Sequence, residues 1–158
     1  MFYAVLKIIH LLCVIVWVGG MVFAQFFLRP ALLTLAPPQR VRLMQEVLGR
    51  FFQAVLFAGA LAVLSGAGMI DRVARQTRAA DVHFNMPLEW MLMALLGALM
   101  LFIFAGIRFV LYPRLKRAVQ SADWATGADC LVQIRRWVSV NLVLALAIVV
   151  VTLAGVSS

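Results

Sequence analysis

Acidic residues are scarce in this chain, with six Asp and Glu against 14 Lys and Arg in 158 residues. None lies deep inside an apolar run, which argues against a proton-driven carrier built on a membrane carboxylate. Charge of either sign is thin, at 13%, while 65% of residues are hydrophobic and the mean hydropathy is +1.04. A soluble domain of this size cannot hide so much apolar surface. Cysteine is limited to Cys13, within the first apolar run, and Cys130, at the start of the last, with no CxxC pair. That argues against a disulfide framework and against a zinc or thioredoxin-like motif. The patterns GxxxxGK[ST], HExxH and GxSxG are also missing, so the common soluble nucleotide-binding, zinc-protease and serine-hydrolase readings have no support.

What is present is a series of apolar runs. A membrane span needs about 20 apolar residues to cross roughly 30 Å of hydrocarbon, so four spans with short connections use up the chain as one domain, 1–158. The expected spans are about 2–28, 51–70, 87–112 and 137–155, an all-α integral membrane four-helix bundle. Val22-Phe23-Ala24 faintly resembles a cleavage site, but the first run is too long for a signal-peptide core. Prolines from Pro30 to Pro38 predict a break, with a new helix beginning near Gln39. The mixed segment Arg40 to Arg50 reads as interfacial. The polar run Asp71 to His83 reads as a connection, Pro87 as the first turn of the third helix, and Ala128 as the approximate start of the last. Beyond a vague shared pattern of span, basic turn and returning span, the two halves show no repeat.

The net charge of +8 does not imply nucleic acid, because the basic residues flank apolar spans and form no aromatic-interleaved patch. Anionic lipid headgroups suit them better. The first and third connections carry about nine Lys and Arg, against about four at the N-terminus and in the second connection. By the positive-inside rule both termini then face out, an N-out/C-out arrangement.

His10 is the most informative position, since an ionisable side chain about two turns inside a span is costly and by default marks a function. Cys13 and Trp17 follow at helical spacing on the same face, with Lys7 one turn above. Imidazole serves copper, zinc and haem iron alike, while a histidine satisfied by a neighbouring helix is the plainer account. His83 falls on the same side as His10 by the charge argument. Met86, Met93 and Met100 recur every seven residues, offering soft sulfur for copper(I) or simple gap-filling. The glycines at 19, 20, 59, 66, 68, 97 and 106 permit close helix approach, and Asn141 is expected to bind across the bundle.

Leu6-Lys7-x-x-His10, Trp17-x-Gly19-Gly20-Met21 and Arg29-Pro30, with Ile134-Arg135-Arg136 and Asn141-Leu142, resemble the small bacterial proteins grouped with copper-resistance protein D, over nearly the whole chain. The opening motif is also similar to the four-helix membrane protoporphyrinogen oxidases, in which the matching histidine is associated with haem b. The third helix here departs from that group, offering Met and Trp until Arg108 where a lysine is usual. The first resemblance implies a multi-pass protein of the bacterial cytoplasmic membrane that binds or passes copper through His10, with Cys13, His83 and Met86. The second implies a haem b redox protein with His10 as axial ligand, Lys7 near a propionate and Trp17 shaping the pocket. The third reading is a structural or partner-binding bundle. The partners implied are the lipid bilayer, a copper ion or haem, and a second copy or a redox protein.

Overall fold

The computed structural model describes residues 1–80 and 86–156, without the side chains of 154–156. Among the described residues there are four long helices and no strand: α1 (Phe2–Thr34), α2 (Pro37–Ala79), α3 (Leu88–Gln120) and α4 (Trp124–Val156). Each is long and apolar enough to cross a bilayer. α1 packs chiefly along α2 and α3 along α4, giving two hairpins side by side. Within the first, His10 meets Ala62 and Ser65 while Gly20 lies against Phe51, so the helices are antiparallel.

The outer surface remains apolar, with Phe102 at 78% and Phe57 at 71% exposure. Lipid, not water, is the solvent such a face requires. Inside, Val41, Leu48 and Val55 of α2 meet Phe104 and Leu115 of α3 and Ile134 and Val138 of α4. Aromatic rings cross this core edge to face: Trp17 to Phe104 at 5.8 Å, Phe104 to Phe52 at 5.9 Å, and Phe52 to Tyr112 at 5.5 Å. Such contacts add about 1 kcal/mol each beyond area burial. Asn141 reaches across the bundle as expected, its Nδ2 donating to the Met100 carbonyl at 3.2 Å.

Several boundaries differ from the sequence expectation. Pro30 does not break α1. A π-turn at Ala24–Leu28 precedes it, with Arg29 N–H bonded to Ala24 O, and this wider turn accommodates a ring that would crowd the carbonyl four residues back. The helix ends instead in a 3-10 turn at Leu32–Thr34, and Leu35 and Ala36 turn extended. α2 then starts at Pro37 rather than near Gln39, since proline at the first helical positions forfeits only donors that have no partner there. The run from Asp71 to Ala79 is helix, not connection. Arg75 pairs with Asp71 at 2.9 Å one turn away, and Arg, Gln and Ala are good helix formers, so leaving the apolar zone does not end the helix.

α3 contains a second π-turn, Ile107–Leu111, again just ahead of a proline, Pro113. It closes in a Schellman motif: Asp123 N–H bonds Ala118 O at 2.9 Å and Ala122 N–H bonds Val119 O at 3.2 Å, with Ala122 left-handed at φ 54°. α4 begins at Trp124, four residues earlier than Ala128, because Asp123 caps it by accepting the Thr126 N–H at 3.0 Å. The hydrogen bonds from Thr126 hold the Asp123 carboxyl below the usual carboxylate range.

Candidate functional site

His10 sits half-buried where α1 crosses the small-residue stretch Ser65-Gly66-Ala67-Gly68 of α2. Its Nδ1 lies 2.9 Å from the Ala62 carbonyl and 3.3 Å from Ser65 Oγ. A carbonyl can only accept, so Nδ1 carries the proton, and in the neutral ring Nε2 holds a lone pair. Ser65 is 3% exposed and directs its own hydroxyl to Leu61 O at 2.6 Å, leaving its oxygen to accept from the imidazole. This is the arrangement in which a second partner fixes the tautomer and orientation of a ligating histidine.

Glycine makes room for the ring. A Cβ on Gly66 would stand 3.4 Å from His10 Cε1, so the imidazole lies against bare backbone. One on Gly68 would meet Leu6 at 3.2 Å, and one on Gly59 would meet Leu101 at 3.2 Å and Trp17 at 3.6 Å. The face carrying His10, Cys13 and Trp17 therefore docks closely on α2, with Cys13 and Trp17 buried and Cys13 a free thiol. Lys7 is exposed and stays outside this contact. Met86 is exposed at the foot of α3, Met93 is half-buried and Met100 is buried, so the methionine row runs obliquely into the core. His83 lies outside the described residues. Among the described residues no three His, Cys, Asp or Glu side chains gather closely enough to hold a metal ion by themselves.

Ser65 was not singled out from sequence. Its only signal is a hydroxyl in an apolar span at the depth where an antiparallel α2 meets His10. In sequence Arg29, Arg40 and Arg135 are basic residues flanking apolar spans, Arg29 and Arg135 also within the resemblance motifs, and in the structure the three line one cavity at the far end of the bundle from His10.

Four apolar, antiparallel helices with a lipid-facing exterior define a polytopic membrane protein. The family model for copper resistance protein D matches residues 45–155, and the chain belongs to that family. Family membership makes this a copper-related membrane protein. All of α1, with His10 and Cys13, precedes the matched segment. Comparison with curated proteins and with solved structures returns no match.

Proposed function

We propose that the protein binds or passes copper near the end of the bundle where the chain starts, with His10 Nε2 as the anchoring ligand. The observation that carries this reading is the Nδ1 hydrogen bond to Ala62 O, which leaves a preoriented lone pair in a largely apolar setting. The donor types fit copper: an imidazole with the Cys13 thiol one turn further on, and thioether sulfur at Met86 just ahead of α3. His83 is a further contributor in this proposal. Copper(I), which accepts few and soft ligands, suits such a set better than zinc does. The basic end of the bundle faces the cytoplasm by the positive-inside rule, so His10 and both termini lie toward the opposite side.

The test is the copper content of the detergent-purified protein, wild type and His10→Ala, read with absorption spectra before and after dithionite. Copper near one ion per chain that is lost in His10→Ala is the expected result. A Soret band lost in the same variant would replace copper with haem b at this histidine. Neither signal would overturn the ligand role and leave His10 as a helix-packing residue.

A further inference from the structure

At the basic end, α1, α2 and α4 enclose a cavity of about 250 Å³. Arg29, Arg40 and Arg135 line it together with Gln25, over an apolar floor that includes Met44 and Leu48. Among the described residues none of the three guanidinium groups makes an ion pair or a side-chain hydrogen bond, and Arg29 Nη1 is buried with no partner at all. Like charges gathered around a low-dielectric hole repel, and a buried N–H without an acceptor costs free energy. An anion with several acceptor oxygens reverses both penalties, and guanidinium forks match phosphate oxygens in geometry.

A second feature adjoins it. A groove on the lipid-facing side of α4 runs from Arg135 and Arg136 past Ser139 to Val140, Val143 and Leu144. Arg135 borders both the cavity and the groove. Gln25 straps α1 to α4 at this junction, its Nε2 donating to Ser139 Oγ at 2.8 Å and to Arg135 O at 3.2 Å. Charge at one end and an apolar track leading toward the bilayer interior are the two halves of a phospholipid.

We propose that the Arg29–Arg40–Arg135 cavity binds a phosphate group, and that this phosphate belongs to a membrane lipid whose acyl chain lies in the groove along Val140 and Val143. The site is separate from the one proposed at His10 and does not depend on copper. A free phosphate would use the same guanidinium groups but would leave the groove empty.

The experiment is thermal unfolding of the full chain in a neutral detergent, titrated with phosphatidylglycerol, with diacylglycerol of the same chains, or with inorganic phosphate. Phosphatidylglycerol is expected to raise the melting temperature by several degrees, and the other two to leave it unchanged at equal concentration. Arg29→Gln and Arg135→Gln should each weaken the apparent affinity for phosphatidylglycerol about tenfold. Arg117→Gln, on the same end but off the cavity, should not. Arg135 is exposed, so its variant remains informative should Arg29→Gln fail to fold. An equal shift from diacylglycerol overturns the phosphate, an equal shift from inorganic phosphate overturns the lipid, and wild-type affinity in both arginine variants overturns the site.

Discussion

In the first hairpin a π-turn at Ala24–Leu28 leads into Arg29-Pro30, and in the second a π-turn at Ile107–Leu111 leads into Tyr112-Pro113. The backbone makes the same kind of turn immediately before each X-Pro pair, yet the residue ahead of the proline meets opposite surroundings. Tyr112 packs edge-on against Phe52, accepts a hydrogen bond from Gln45 Nε2 at 3.2 Å and donates to Gln45 O at 3.3 Å. Gly49 leaves the space its hydroxyl fills. Arg29 opens onto a cavity and has a buried nitrogen with no acceptor. One bend is completed by the protein itself, and the other is completed only by something from outside it. The returning helices differ as well: α4 starts on the Asp123 cap, whereas α2 starts on Pro37-Pro38 after Ala36, which supplies no side-chain cap.

The strongest way to erase this difference is to unseat Tyr112. Gly49→Leu puts a side chain where the phenol oxygen lies, and overpacking of this kind should cost about 3 kcal/mol, seen as a large fall in melting temperature in detergent. Gly106→Ala, where an added Cβ meets nothing within 4 Å, is the matched control and should melt at or above wild type. If Gly49→Leu were equally benign, the second bend would not be sealed by Tyr112.

A smaller change sharpens the contrast at the turns. Ala122→Gly removes the cost of a left-handed alanine and should stabilise the second hairpin by about 1 kcal/mol, measured by the same melt. No gain would mean that the Schellman geometry is held by its neighbours and not by residue 122.

The smallest effect is one of pH. The Asp123 carboxyl titrates below its ordinary range when folded, so its contribution is present above the unfolded carboxylate pKa and is lost as pH falls through the folded value. Wild type should therefore lose slightly more stability than Asp123→Ala on acidification below pH of about 4, with the two converging at the acid end. Parallel pH profiles would remove the cap from the account of α4.

The spans were legible because membrane thickness forces long apolar runs, and four of them stand out in any reading of the chain. Helix ends were harder for a physical reason. Polarity marks where a helix leaves lipid, not where it stops, so Asp71–Ala79 was assigned to a connection although its residues favour helix. Asp123 ahead of Trp124 is a cap signal that places the start of the last helix four residues before Ala128. The π-turns leave no trace in sequence beyond the prolines they precede. At the sites, His10 was visible because an imidazole in a span is costly. Ser65 was not, since a serine in a membrane helix is ordinary until its partner is known. The arginines could be read only as interfacial charge, because the lack of an acceptor at Arg29 is a fact about three helices together. Lys7, one turn before His10 on α1, is exposed, whereas His10 is half-buried against α2.

α2 runs for 43 residues, about 65 Å at a rise of about 1.5 Å per residue, against roughly 45 Å of bilayer including headgroups. It is one unbroken α-helix past Pro38, while α1 and α3 each carry a π-turn. Near one end it presents Arg40 to the cavity, and toward the other it holds the imidazole through Ala62 and Ser65. A rod without a joint answers a thinner membrane by leaning, and leaning swings its two ends in opposite directions. Any tilt of α2 with membrane thickness would therefore move the arginines and His10 together, as the two ends of a single lever.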